Sequence, residues 1–400
     1  MSEEKLVPKL RFLEFTDEWS EHKFENIFDI KNGLNKGKDY FGEGIRILNY
    51  MDVNKYELNT ENTIKGLVEL TDDEIERYSV KPNDLFFTRT SETSEEIGLT
   101  SAYMGNTIKC VFSGFLLRAR PKIDLNSLFF AYYLRSPRQR NNIIKFSSIT
   151  TRALISGGNL SKMKIKYPSI EEQNKIANLF LILDKKVELL EKKYREYQCF
   201  KKYLMQKLFA QELRFDFDEI RLKSISKINK GKQLNKEHML EIGKFYVLNG
   251  GQEPSGYTDS WNTSENTITI SEGGNSCGFV NFNIEKFWSG GHCYYLNKLS
   301  ENIDVYYLYS YLKFIEPQIM RLRVGSGLPN IQKGDIENIK IKILPKKEQI
   351  KISNLLLSTD NKISSIESQK DSFEIFKKGL LQQMFVVQLI LSLLQNKKHI

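Results

Sequence analysis

A chain of 400 residues has room for two or more domains, and its ordinary apolar and aromatic content is that of a globular protein with real cores, not of a wholly disordered chain. Its formal charge of +9 points to a polyanionic partner, and charge alone does not separate nucleic acid from an anionic membrane surface. The acidic, polar start lacks the layout of a secretory signal, and the longest apolar run, over 386–394, is far short of the roughly 20 residues that cross a bilayer, so a cytoplasmic protein without a membrane partner is expected.

In chain order, residues 1–168 form a first region of short β-rich runs broken by Gly, Asn, Ser and Tyr, with an aromatic helix over 128–134 and a Ser156-Gly157 turn before the run into Pro168. Residues 169–215 carry one long helix. Residues 216–345 repeat the β-rich character, with an aromatic helix over 305–312 and a Ser326-Gly327 turn before Pro345, and residues 346–400 carry a second helix and a tail. The tail over 386–400 is open to several readings: more coil, a partner contact, or an extension without function. Cys110, Cys199, Cys277 and Cys293 show no paired spacing, although Cys293 follows His292, and reduced thiols are expected.

The two helical segments are copies of one another. Glu172-Gln173 returns as Glu348-Gln349, Asp184 as Asp360, Glu191 as Glu367, Phe200-Lys201-Lys202 as Phe376-Lys377-Lys378, and Phe209 as Phe385; roughly 16 of about 38 aligned positions are identical at one offset. Apolar residues in the first copy fall at Leu179, Leu183, Val187, Leu190, Tyr194, Tyr197, Leu204 and Leu208, close to a coiled-coil seam. The second copy offers Ile352, Leu355, Ile363, Ile366, Phe373, Leu380 and Met384, interrupted by Thr359 and Lys370. A helix over 171–209 would be on the order of 60 Å long. Burying both stripes against each other predicts two antiparallel helices about an approximate two-fold axis. The β-rich regions keep a common frame: the run ending in Gly33 parallels that ending in Gly231, and Ile47-Leu48-Asn49 parallels Val247-Leu248-Asn249. The fold class that follows is α+β, with two β-rich mixed α/β domains in pseudo-two-fold arrangement, joined by two long helices forming an antiparallel coiled coil.

Motifs for bond-making chemistry are missing. There is no phosphate-binding GxxxxGK[ST] loop, and 325–330 fails as a GxGxxG. No two prolines are adjacent and none follows Asn or Asp, so the (Asn/Asp/Ser)-Pro-Pro-aromatic motif of amino-group DNA methyltransferases is absent. The four histidines are scattered, so no catalytic, cofactor-binding or metal-ligating residue is assigned on this chain. What remains suits binding. Lysines can hold phosphates, while Arg, Asn and Gln can discriminate bases, and Thr, Ser and Tyr hydroxyls add donors and acceptors. The candidates are Lys36, Lys38, Asn49, Tyr50, Arg89, Thr90, Ser91, Thr150 and Arg152 in the first region, and Lys230, Lys232, Asn249, Gln252, Asn275, Ser276, Arg321 and Arg323 in the second.

This layout resembles the specificity subunit of Type I restriction-modification systems. The resemblance spans nearly the whole chain and is carried by the Pro-x-x-Glu-Glu-Gln-x-x-Ile run from Pro168 to Ile176, its shortened echo from Pro345, the strand entry over 80–87, and the helix end over 201–209 with its repeat. It implies that the β-rich regions are target recognition domains, each reading half of a split, asymmetric duplex-DNA site, with the helices as spacer. It also implies two methylase subunits that bring S-adenosylmethionine and modify adenine N6, and motor-nuclease subunits that use ATP and Mg²⁺, so that chemistry belongs to the partners. A two-headed coiled-coil scaffold binding proteins or glycans is the alternative that the same layout would suit.

Overall fold

Alternating steps of four and three along both copies are realised as long helices. The computed structural model describes residues 4–106, 109–149, 152–210, 218–325, 327 and 329–391. The helices that organise it are α1 (Ser127–Arg135), α2 (Ile170–Phe209), α3 (Val305–Phe314) and α4 (Lys346–Met384). Glu171, Glu172 and Glu348 occupy the first turns of α2 and α4, where a carboxylate complements the helix dipole. No helix among the described residues is long and apolar enough to cross a membrane.

The seam of α2 passes through Ile176, Phe180, Leu183, Val187, Leu190, Tyr194, Tyr197, Lys201, Leu204 and Leu208, and that of α4 through Ile352, Leu356, Thr359, Ile363, Ile366, Lys370, Phe373, Lys377, Leu380 and Met384; none of these side chains is exposed. This corrects the expected stripe. Phe180 takes the place given to Leu179, which is half-buried, Leu356 takes the place given to Leu355, which is 44% exposed, and Thr359 and Lys370 continue the seam instead of interrupting it. Thr359 is tolerated there because its hydroxyl donates to the Leu355 carbonyl at 2.9 Å, leaving no orphaned polar atom.

The chain divides into two units, Met1–Leu189 with Lys370–Ile400, and Leu190–Gln369. In the first, the strands Phe28–Asn32 (β1), Leu58–Asn59 (β2), Asp84–Thr88 (β3), Thr100–Tyr103 (β4) and Leu116–Pro121 (β5) form a sheet in the order β1-β5-β3-β4-β2, antiparallel except for the parallel β2-β4 pair. Its core joins Phe24, Phe28, Phe87 and the aromatic face of α1 to Ile176 and Phe180 of α2 and Phe385 beyond α4. Asp184 of α2 meets Lys377 of α4, and Lys186 lies over the Phe373 ring, so the helix segments in this unit run antiparallel. The tail departs from the coil: Val387–Leu391 pairs antiparallel with Glu4–Pro8, and residues 392–400 lie outside the described residues.

The second unit repeats this plan. Lys227–Lys230 (β6), Thr267–Ser271 (β7), Val280–Asn283 (β8) and Cys293–Asn297 (β9) form an antiparallel sheet in the order β6-β9-β7-β8, matching β1-β5-β3-β4. Phe245–Leu248, flanked by Gly256–Thr258 and Trp288–Ser289, corresponds to Phe41–Leu48, flanked by Gly66–Val68 and Cys110–Phe112. The core carries Met205, Leu208 and Phe209 of α2 beside Ile352 and Leu356 of α4. Lys201 pairs with Asp360, so here too the helix segments are antiparallel. Gly33 and Gly231 end corresponding runs because a Cβ there would sit 2.1 and 2.2 Å from a facing carbonyl oxygen.

The repeated Glu-Gln pair has a clear structural use. Gln173 accepts from the Asn126 N–H at 3.0 Å and donates to the Pro168 carbonyl at 2.9 Å; Gln349 accepts from the Asp304 N–H at 2.9 Å and donates to the Leu344 carbonyl at 2.7 Å. Asn126 and Asp304 in turn cap α1 and α3. Each buried amide therefore staples the start of an aromatic helix to the strand-to-helix corner, which a shorter or charged side chain could not do.

Candidate functional site

In both units the chain leaving the central strand builds the floor of a depression. After β3, the Arg89 N–H donates to the Phe115 carbonyl at 2.8 Å, and the Arg89 carbonyl accepts from Ile155 at 3.0 Å; after β7, the Glu272 N–H donates to the His292 carbonyl at 2.9 Å, and its carbonyl accepts from Ile331 at 2.9 Å. Thr90-Ser91 and Gly273-Gly274 are thereby equivalent, as are Phe115 and His292. A cavity opens at this place in each unit, about 550 Å³ in the first and about 470 Å³ in the second.

The first cavity brings together Tyr50, Thr90, Ser91 and Arg152, four of the residues expected to bind, with Glu92, Thr93, Glu96 and Phe115. The Tyr50 hydroxyl donates to Glu96 at 3.0 Å and lies 3.4 Å from the Ser91 hydroxyl. Burial pushes the Tyr50 phenol above its ordinary value, so it remains a donor and holds the carboxylate in place. Arg152 is largely exposed and lies 4.0 Å from Glu92, a pairing too open to fix it. The rim therefore offers carboxylate acceptors, hydroxyls, the loosely paired Arg152 guanidinium and the exposed Phe115 ring.

The second cavity is lined by Lys230 and Asn249, both expected, and by Glu272, Gly273, Gly274, His292, Pro329 and Asn330. The buried Glu272 carboxylate accepts from Lys230 at 2.5 Å and from the Tyr294 hydroxyl at 3.0 Å, with His292 Nδ1 3.4 Å away. Asn249 accepts from the His292 N–H at 3.3 Å. Asn275 is exposed and Ser276 half-buried in the turn that follows Gly274. One frame thus presents two unlike sets of side chains.

The other expected residues are not gathered into these cavities. Lys36 is 2.5 Å from Glu74 and faces the Tyr40 ring, and Asn49 donates its amide to the Ile47 carbonyl at 3.2 Å at the head of the helix Tyr50–Lys55. Arg89 lines a separate depression with Asp29, Asn32 and Lys122. Lys38, Lys232, Gln252, Arg321 and Arg323 are exposed, and Thr150 lies outside the described residues. Sequence reasoning passes over Glu92, Glu96, Phe115, Glu272 and His292 because it looks for cations, amides and hydroxyls, and over Asn330, an amide, because that stretch is read only as a failed GxGxxG run; aligning the residues after β3 with those after β7 finds Glu272.

Comparison with known proteins gives one consistent result. The family model for the Type I restriction modification DNA specificity domain matches residues 16–196 and again 215–374. A protein of Methanocaldococcus jannaschii, named as the specificity subunit of the type I restriction enzyme MjaX, is 25% identical over 92% of this chain and 93% of its own length. A protein of Mycoplasma genitalium, named as the type I specificity subunit S.MgeORF438P, is 23% identical over 95% of this chain and 97% of its own. The crystal structure of a type I restriction-modification S subunit from M. genitalium superposes with a TM-score of 0.67 at 21% identity, covering 95% of this chain and 99% of that one, a likeness of fold.

Proposed function

The chain belongs to the Type I restriction-modification DNA specificity family, and from that premise we propose that it reads a bipartite, asymmetric site in duplex DNA, one half with each unit, and makes no bonds itself. The observation that carries this reading is the pair of cavities at equivalent places, built on one backbone frame and lined by different side chains. A common frame suits a common mode of docking on the duplex, and unlike linings suit unequal half-sites. The first cavity, with Glu96 held by Tyr50, is equipped to accept from an exocyclic amine such as cytosine N4, and Arg152 to donate to guanine; Asn330 in the second has the amide that pairs with adenine. Two methylase subunits would bring S-adenosylmethionine and modify adenine N6, and motor-nuclease subunits would bring ATP and Mg²⁺, acting in the cytoplasm on sites this chain selects.

Binding of the full chain to duplex DNA should fall steeply with salt, with a log–log slope of about −0.9 for each phosphate neutralised. A salt-insensitive affinity would instead favour a scaffold that binds proteins or glycans. Arg152→Ala should weaken discrimination at a single base pair of one half-site by about 1–3 kcal/mol and leave the other half unchanged. Selection from a randomised duplex library checks this, and an equal loss on every sequence would make Arg152 a phosphate contact.

A further inference from the structure

Two side-chain clusters at corresponding places in the units take no part in either cavity. In the first unit the Tyr132 hydroxyl of α1 donates to Asp184 of α2 at 2.6 Å, and Lys377 of α4 donates to the other oxygen of the same carboxylate. In the second, the Tyr306 hydroxyl of α3 donates to Asp360 of α4, and Lys201 of α2 lies 2.5 Å from that carboxylate. Each cluster ties a helix of a recognition domain to both long helices at one point. Asp184 and Asp360 are the same position of the duplicated segment, and so are Lys201 and Lys377.

Both lysines stand on the seam, where the four-three period calls for an apolar side chain, and they are only 22% and 17% exposed. A polar residue on such a seam lowers stability relative to leucine, and its physical use is to single out one register. Sliding either helix by a turn would carry the ammonium away from the carboxylate and leave both half-buried and unpaired. The apolar part of the seam opposes that slide only weakly, since Thr359 and Lys370 already dilute it. Burial and the neighbouring carboxylate both push the Tyr132 and Tyr306 phenols up, so each stays a donor to its aspartate.

We propose that the Tyr132–Asp184–Lys377 and Tyr306–Asp360–Lys201 clusters are register locks: positioning residues that hold each recognition domain at one axial place on the helix segments and so sharpen the spacer tolerated between the half-sites. This rests on the bipartite reading above. Lys377 also lies 3.5 Å from Glu57, so the second cluster gives the cleaner test.

The test uses the full chain assembled with its methylase subunits and a set of duplexes in which both half-sites are fixed and the spacer varies. Lys201→Met and Asp360→Asn should each lower the preference for the best spacer over its neighbours by about tenfold, with base preferences in both halves unchanged. Lys201→Arg should keep the parent window. A window as sharp as the parent's in both charge-removing variants, whatever their melting temperature, overturns the lock. Tyr306→Phe keeps both charges and decides the matter if those variants do not assemble: a wider window supports the lock and an unchanged one overturns it. A parent chain with no bipartite preference at all would bring down the two-half reading, and the lock with it.

Discussion

Phe385→Ala is expected to destabilise the first unit, not the second, by about 3–5 kcal/mol, although Phe385 follows the second recognition domain in sequence. Its ring is 1% exposed and packs on Phe180, Phe129 and Tyr133 of the first unit, with centroids 5.5, 5.7 and 5.5 Å away. Phe209 is its copy and ends the helix that follows the first domain, yet it packs on Tyr307, Tyr311 and Phe314 of the second, at 5.7, 5.5 and 5.6 Å. Each long helix therefore closes the core of the domain it does not follow. Deleting an aromatic side chain there removes both its transfer free energy and its packing, and the surrounding rings cannot collapse to fill the gap. Hydrogen exchange is the direct measurement: Phe385→Ala should expose amides of β3 and β5 while β7 and β9 stay protected, and Phe209→Ala should do the reverse. Loss of protection in β7 and β9 on changing Phe385 would contradict the crossed arrangement.

That crossing also marks where sequence reading stopped. The repeat, the long helices and their antiparallel sense followed from Glu172 to Phe209 matching Glu348 to Phe385, because periodicity along a helix is written in adjacent residues. Which aromatic plugs which core is a long-range matter, and Phe209 and Phe385 gave no local sign of it. The seam was misplaced by one residue at Leu355 because leucine occupies 355, 356 and 357, and composition cannot say which of three faces inward. The cavities were half legible. Tyr50, Thr90, Ser91, Arg152, Lys230 and Asn249 line them, whereas Glu96 and Glu272 were overlooked since a search for partners of a polyanion discounts carboxylates. On the proposed reading, Glu96 would accept from a base amine once phosphate contacts have set the register.

Removing one heptad from each long helix, residues 189–195 and 365–371, should shorten the preferred spacer and leave the bases of both half-sites unchanged. Seven residues at 1.5 Å each amount to about 10 Å, or about three base pairs of duplex. A whole heptad keeps the seam in phase, so Lys201 and Leu204 take over the places that Tyr194 and Tyr197 held in the period, and the residues of both Tyr–Asp–Lys clusters are retained. Four residues would instead rotate the stripe off its partner. Affinity at the new optimum is expected to be lower than the parent's, because losing three base pairs also turns one half-site about the duplex axis by roughly 100°, a twist that protein and DNA must absorb. Two heads on a stiff connection bind as one avid unit only when the connection matches the span, so a mismatched spacer should lose that gain while each half-site keeps its own weak affinity. Selection on duplexes with spacer and half-sites both randomised separates the outcomes. An unmoved spacer optimum would show that helix length is not the ruler, and altered half-site bases would show that the deletion had reached the cavities themselves.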